Sequence, residues 1–116
     1  MGRMKKLKLG VPCSQLKDFT KDVEIFCTSE NEAMAIASGI WLGGGEAVVY
    51  MQNSGLGHIV DIVTSLYKPY SIPLPHLVLS IRHSPNHHFF MAKITIDLLK
   101  LLNYENVEIV EQNEKS

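Results

Sequence analysis

The sequence predicts a single α/β domain in which helices cover both faces of one mostly parallel sheet. Apolar, strand-like runs alternate along the chain with stretches of helical periodicity, a pattern typical of this class. Several runs are also too continuously apolar for strands that have one face in water. With 116 residues and 46% hydrophobic side chains, the chain has room for one core. We therefore expect one doubly wound domain over residues 1–116, with residues 1–6 and 112–116 flexible.

Each predicted element follows from a local pattern. Short apolar runs predict five strands, at residues 7–11, 23–28, 46–52, 76–81 and 107–111. The clearest helix is predicted over residues 31–44, where a glycine cluster ends an element whose inward face is Ala33, Ile36, Ala37 and Ile40. Another predicted helix, residues 91–103, is expected to turn four aliphatic side chains inward: Ile94, Leu98, Leu101 and Leu102.

The charge balance argues against two classes of partner. Eleven basic and twelve acidic residues give a net charge of -1, and no basic cluster is interleaved with aromatic residues as a nucleic-acid groove requires. No apolar run is long enough to cross a bilayer, and no signal peptide is evident. We therefore expect a soluble, cytoplasmic protein that binds neither nucleic acid nor membrane.

Cysteines and histidines give no sign of a metal site. Cys13 and Cys27 form no C-x-x-C pair and are too few for a disulfide framework, so reduced thiols are expected, with Cys27 buried in a strand. His83, His87 and His88 lie close together, but no cysteine or carboxylate is near them in the sequence to complete a zinc site. We expect this chain to bind no metal ion by itself.

Three loops are candidates for a ligand site, because open parallel sheets bind ligands beyond the carboxyl ends of their strands. These loops are PCSQ (12–15), SENE (29–32) and NSGLG (53–57). The third loop contains neither a Walker motif nor a complete dinucleotide fingerprint. Its glycines leave backbone N–H groups uncovered where a ligand can approach closely, although a tight connection without function is an equally simple interpretation.

The two glutamates of the second loop are predicted to have different tasks. Ser29 and Glu32 form a capping-box pattern, in which the serine accepts a backbone hydrogen bond and Glu32 reaches back to Ser29. Glu30 has no such task. It is a candidate for chemistry, and the alternative is an acidic residue that suits the positive end of the helix dipole.

Taken together, five stretches resemble the pyrimidine-binding domain of thiamine diphosphate enzymes. They are GVPCSQLK (10–17), ENEAMAIASG (30–39), AVVYMQNSGLG (47–57), TSLYKPYSIPLPHLVLSIR (64–82) and ITIDLLKLLN (94–103). More narrowly, the sequence is similar to the phosphonopyruvate and sulfopyruvate decarboxylases, over nearly the whole chain from Gly10. The resemblance implies the α subunit of a decarboxylase that acts on a small acidic 2-oxo acid such as sulfopyruvate or 3-phosphonopyruvate.

The resemblance also implies a role for one carboxylate. In these enzymes a glutamate, nine residues before a helix glycine, hydrogen-bonds the ring nitrogen of the cofactor's aminopyrimidine and promotes loss of the thiazolium proton. Counting back from Gly39 assigns this role to Glu30. Other residues implied to contact the cofactor are Pro12, Gln52, Asn53, Ser54 and Gly55, with Val11 and Cys13 beside Pro12.

Four residues are implied to contact the substrate: Ser14, Asn53, Arg82 and His88. For Ser14, capping of the following helix is an equal alternative. A guanidinium at position 82 matches a phosphonate or sulfonate in two places at once, whereas its simpler interpretation is a solvated surface group. His88 is matched to a histidine at the start of the last helix, where an imidazole can move protons near neutral pH.

The resemblance also implies a partner. Thiamine diphosphate enzymes hold the cofactor's diphosphate through magnesium on a domain marked by Gly-Asp-Gly, and this chain has no Gly-Asp-Gly stretch. We therefore expect a diphosphate-binding β subunit in a hetero-oligomer with α-α or α-β contacts. His58 and His83 depart from the asparagine and glycine usual in the family. A non-catalytic interaction or regulatory protein that keeps the fold is thus the alternative interpretation.

Overall fold

The computed structural model describes residues 6–12, 21–82 and 88–111. Its five strands are Lys6–Gly10 (β1), Ile25–Phe26 (β2), Glu46–Gln52 (β3), His76–Ile81 (β4) and Val107–Glu111 (β5). They form one sheet in the order β2-β1-β3-β4-β5, and every pair is parallel. The predicted doubly wound α/β class is confirmed, and β3, β4 and β5 have the predicted bounds.

The helical elements connect these strands. Helix α1 spans Glu30–Leu42, and helix α3 spans Phe89–Leu101. Between β3 and β4 the chain forms a 3₁₀ segment, Asn53–His58, followed by the single turn α2 (Val60–Ile62) and a π turn, Val63–Tyr67. None of the helices in the described residues has both the length and the apolar character needed to span a membrane.

The core lies between the central strands and the helices. Leu9, Val49 and Leu77 stand side by side on β1, β3 and β4, and all three are fully buried. On α1 the small side chains of Ala33 and Ala37 are buried as predicted, and they let the helix pack closely on the sheet. The apolar runs therefore form a sheet whose centre is shielded from water.

The segment after β3 is fastened to α1 by a buried phenol. Tyr67 is almost completely buried, and its hydroxyl donates a 2.7 Å hydrogen bond to the carbonyl oxygen of Met34. A buried hydroxyl needs such a partner, and Met34 supplies it from the middle of α1. The turn that follows β3 is thus anchored at its far end to the helix that begins with Glu30.

The second strand is shorter than predicted. Residues 23–28 were expected, but β2 pairs with β1 only at Ile25 and Phe26. Single backbone bonds flank this pairing, from Glu24 N to Lys8 O and from Cys27 N to Gly10 O, at 2.9 Å and 2.8 Å. The strand lies at the edge of the sheet, with a partner on one side only, and it therefore forms little regular ladder.

The inward face of α3 also differs from the prediction. Ile94 and Leu101 were expected to face the core, but they are 51% and 83% exposed. Thr95 and Leu99 are the buried residues of this helix, and Leu102 just after it is buried as predicted. Apolar residues occupy more than one side of α3, so periodicity alone did not identify the packed face. A buried hydrogen bond to Thr95, described below, favours the face observed.

Candidate functional site

A cleft of ≈ 280 Å³ opens where the carboxyl ends of β1, β3 and β4 meet the start of α1. The chain leaves β1 toward β2 on one side and leaves β3 toward β4 on the other, which makes this edge a topological switch point. The cleft is lined by Val11, Pro12, Glu30, Gln52, Ser54, Gly55 and Arg82. The structure therefore brings together most of the predicted site residues, from four separate parts of the chain.

The two glutamates in the first turn of α1 have different environments. Ser29 is the N-cap, and its hydroxyl accepts a 3.1 Å hydrogen bond from the Glu32 backbone N–H. The Glu32 carboxylate accepts from the Thr28 backbone N–H at 3.1 Å and from the Thr28 hydroxyl at 3.0 Å. The capping role is as predicted, but the partner is Thr28 rather than Ser29, because the carboxylate can satisfy two donors there. Glu30, half-buried, lines the cleft instead.

Gly55 is in direct contact with the Glu30 side chain. A Cβ atom at position 55 would overlap Cγ of Glu30 and lie 2.9 Å from its Cδ. Contacts this close are not tolerated between carbon atoms, so only a glycine leaves the carboxylate where it is. Gly57, two residues later, has nothing within 4 Å of the corresponding position. Of these two glycines, only Gly55 is required by the packing around Glu30.

Gln52 is oriented by its neighbours. Its Nε2 atom donates a 2.9 Å hydrogen bond to the Ser54 hydroxyl and lies 3.5 Å from Nδ1 of His88. His88 is buried just before α3 and is not among the residues that line the cleft. The predicted substrate residue His88 thus stands behind Gln52.

Asn53 is likewise set back from the cleft. Its side chain is 0% exposed, and its Oδ1 atom accepts a 3.0 Å hydrogen bond from the Arg82 backbone N–H. Its Nδ2 atom donates to the Thr95 hydroxyl at 3.1 Å, and that hydroxyl donates to the Met91 carbonyl oxygen at 2.6 Å. Thr95 was not among the predicted residues. Helix α3 also contains three charged residues: Lys93, Asp97 and Lys100. The sequence therefore contained no signal that singled out Thr95.

The cleft combines opposite charges with neutral amides. Glu30 and Arg82 both line it, and Gln52 and Ser54 add hydrogen-bonding groups. A carboxyl group can share a proton with a weakly basic heterocycle, and a guanidinium suits a phosphonate, sulfonate or carboxylate. This set of side chains fits an organic anion and a nitrogen heterocycle.

Several predicted features lie outside the described residues, namely Cys13, Ser14, His83 and His87. In the part of the chain that the structure describes, no group of three or more His, Cys, Asp or Glu residues is arranged to hold a metal ion. Cys27 is buried as predicted, and burial together with the nearby Glu32 charge raises the pKa of its thiol. The thiol is thus poorly suited to act as a nucleophile.

A second cavity, of ≈ 310 Å³, lies at the opposite edge of the sheet. Its lining includes Lys6, Glu46 and His76 at the amino ends of three strands, and Trp41 near the end of α1. Trp41 is half-buried and packs against the hydrophobic core. We assign the functional site to the smaller cleft, because ligands of parallel sheets bind at the carboxyl ends and the predicted residues converge there.

The sequence is similar to curated decarboxylases of two kinds. The chain is 39% identical to phosphonopyruvate decarboxylase of Streptomyces viridochromogenes, over 83% of this chain and 27% of that protein. It is 40% identical to sulfopyruvate decarboxylase subunit alpha of Methanocaldococcus jannaschii, over 55% of this chain and 42% of the relative. For the same subunit of Methanothermobacter thermautotrophicus, the identity is 31% over 81% of this chain and 63% of the relative.

The coverage of these relatives is unequal. The chain spans only 27% of the length of the phosphonopyruvate decarboxylases that it matches, and at most 63% of the alpha subunits described above. No protein-family model matches the sequence. The identities nevertheless extend over most of this chain, and both groups of relatives are decarboxylases by name. The chain is therefore similar, over most of its length, to phosphonopyruvate and sulfopyruvate decarboxylases.

Proposed function

We propose that this chain is the pyrimidine-binding, α-type component of a thiamine diphosphate-dependent decarboxylase. Its substrate is a small acidic 2-oxo acid such as sulfopyruvate or 3-phosphonopyruvate, the acids in the names of the relatives. The observation that carries the proposal is the convergence of Glu30, Gly55 and Arg82 on one cleft at the switch point of the sheet.

The cleft fits an aminopyrimidine on two grounds. Gly55 presents no side chain, which leaves room for the Glu30 side chain, and both residues line the cleft that a planar ring would enter. Hydrogen-bonding groups of Gln52 and Ser54 border the same space. A carboxyl group at position 30 can exchange a proton with a ring nitrogen, which the amide of glutamine at this position cannot do.

Each residue of the cleft has a defined task in this proposal. Glu30 hydrogen-bonds the pyrimidine nitrogen, and Pro12 and Gly55 pack against the ring. When bound, the cofactor supplies the electron sink that accepts the electron pair left after loss of carbon dioxide. Gln52 and Ser54 offer neutral hydrogen bonds, which add no charge near the departing carbon dioxide.

Arg82 is proposed to bind the acidic group of the substrate. It follows directly after β4 and lines the cleft together with Glu30. Its planar fork of donors matches two oxygens of a sulfonate or phosphonate, and the charge attracts an anion into the cleft. The 2-oxo acid is thereby oriented with its acidic end toward β4 and its carbonyl toward the cofactor.

We propose that a separate β-type polypeptide binds the diphosphate and magnesium. The name "subunit alpha" of two described relatives supports a multi-subunit enzyme. The chain also lacks the Gly-Asp-Gly stretch of a diphosphate-binding domain. In this arrangement the pyrimidine end of the cofactor contacts this chain and the diphosphate end contacts the partner, so the site is complete only in the heteromer.

The test uses the full chain purified with a companion polypeptide that carries Gly-Asp-Gly, in the presence of thiamine diphosphate and magnesium. Release of carbon dioxide from sulfopyruvate and 3-phosphonopyruvate is expected only when both polypeptides are present. We expect Glu30→Gln to lower turnover about 10²- to 10⁴-fold with little loss of assembly. The matched control, Glu32→Gln, makes the same charge change in the helix cap and should retain turnover. An unchanged rate for Glu30→Gln rejects Glu30 as the activating group, and assembly without any decarboxylation favours the non-catalytic alternative.

A further inference from the structure

Asn53 joins three elements from a fully buried position. It begins the 3₁₀ segment that follows β3, and its amide contacts the end of β4 on one side and α3 on the other. A buried amide is costly unless its polar atoms are paired, and both ends of this one have partners. The arrangement is therefore a specific feature of the packing and not a chance surface contact.

The direction of each hydrogen bond is fixed by chemistry. A backbone N–H can only donate, so the Asn53 atom that faces Arg82 must be the carbonyl oxygen Oδ1. The Nδ2 atom then faces the Thr95 hydroxyl, which accepts a hydrogen bond from Asn53 and donates one to the Met91 carbonyl oxygen. The chain of bonds thus runs without ambiguity from the Arg82 backbone to the first turns of α3.

We propose that Asn53 and Thr95 are positioning residues, which hold the Arg82 backbone so that this residue lines the cleft. This inference rests on the proposed function, in which Arg82 binds the acidic group of the substrate. Neither residue lines the cleft, so both act through Arg82 and not by contact with a ligand. The same hydrogen bond explains why α3 buries Thr95 and leaves Ile94 exposed.

The position of the Arg82 backbone depends on its hydrogen bond to Asn53. The last paired residue of β4 is Ile81, so Arg82 lies one residue beyond the regular strand. Asn53 supplies an acceptor at that point, and Thr95 holds the Asn53 amide. Loss of the Thr95 hydroxyl leaves the amide without that partner, and a rotation of the amide then releases the Arg82 backbone.

The experiment compares three variants of the full chain. Thr95→Val removes the hydroxyl with little change in shape, Thr95→Ser keeps it, and Leu99→Ala removes the other buried side chain of the same helix while keeping the hydroxyl. Amide hydrogen exchange of Arg82 is measured by NMR relative to that of Leu79 in the centre of β4. KM and kcat are then measured in the complex with the companion polypeptide, with sulfopyruvate as substrate.

In Thr95→Val we expect faster exchange of the Arg82 amide relative to Leu79 and a rise in KM of roughly tenfold, with kcat nearly unchanged, as for loss of uniform binding. Thr95→Ser should restore both values, and Leu99→Ala should lower the melting temperature without either effect. Unchanged Arg82 exchange in Thr95→Val overturns the inference whether or not the complex is active. Faster exchange with unchanged KM also overturns it. If the unmodified complex is inactive, the proposed function fails. The exchange measurement still decides whether Asn53 and Thr95 hold the Arg82 backbone.

Discussion

Glu30 and Gly55 pack against each other so closely that the glycine has no space for even a methyl group. Glu30 opens α1, and Gly55 belongs to the turn after β3, so the contact joins two loops that are distant in the sequence. The Glu30 side chain occupies the space that a Cβ atom of residue 55 would need. This relationship gives the first of four predictions.

Gly55→Ala should displace the Glu30 carboxylate. The new methyl group overlaps Cγ, and the flexible glutamate gives way more easily than the backbone does. We expect turnover of the reconstituted complex to fall about 10²-fold, as for a misplacement near 1 Å, while the domain remains folded. Gly57→Ala is the control, because nothing lies within 4 Å of that position. Equal activity of the two variants would contradict a positional role for Gly55.

Arg82→Gln should separate substrates by their acidic group. The variant loses a charge-assisted pair worth about 1.5–3 kcal/mol, so KM for sulfopyruvate should rise about 10- to 100-fold. Pyruvate carries no second acidic group, and its kinetic constants should change little. Steady-state kinetics with both acids provides the measurement. A proportional loss with both substrates would show that Arg82 does not recognise the sulfonate.

The domain should lose stability at alkaline pH because of two buried phenols. Burial raises the pKa of Tyr67 and of Tyr104 above the ordinary value of about 10. Above pH 10 the unfolded chain therefore binds fewer protons than the folded chain, and the free energy of unfolding falls as the pH rises. Below that pH both phenols are protonated in either state, and this contribution is fully present. Urea unfolding between pH 8 and 12 measures the slope.

Tyr67→Phe provides the control for this prediction. It removes one titrating phenol and the hydrogen bond to Met34, so stability at neutral pH should fall by about 1 kcal/mol. The slope above pH 10 should become shallower. A slope identical to that of the unmodified chain would show that Tyr67 does not contribute to the alkaline transition.

Ser29→Ala should weaken the start of α1. The serine hydroxyl accepts from the Glu32 backbone N–H, and its loss should cost about 1 kcal/mol of unfolding free energy. Because Glu30 follows this cap directly, turnover should fall as well. Ser29→Asp preserves an acceptor at the same position and should recover the stability. If Ser29→Ala and Ser29→Asp have the same free energy of unfolding in urea, the Ser29 cap does not contribute significantly to stability.

Much of the fold was accessible from the sequence because apolar runs and glycine stops are local signals. The bounds of β3, β4 and β5 were predicted from short, apolar, strand-like runs. The location of the cleft followed from a general rule, since the carboxyl ends of parallel strands meet at one edge of the sheet. Glu30 was distinguished from Glu32 by the capping pattern, and the structure places the two carboxylates accordingly.

The remaining features depend on contacts between distant residues. The inward face of α3 is selected by the hydrogen bond between Asn53 and Thr95, which are separated by 42 positions. Asn53 was expected to contact the ligand because the family resemblance implied it, but its amide is paired with the Arg82 N–H and the Thr95 hydroxyl, which come from distant parts of the chain. The length of β2 was overestimated because an edge strand is limited by its single neighbour and not by its own composition.

The position of Trp41 has a practical consequence. It is the only tryptophan of the chain, and it lines the cavity at the amino ends of the strands. It lies eleven positions after Glu30 on α1, which corresponds to about 16 Å along the helix. Its fluorescence therefore reports on the side of the domain opposite the cleft. Unfolding can be followed by this emission without direct quenching by a molecule bound in the cleft.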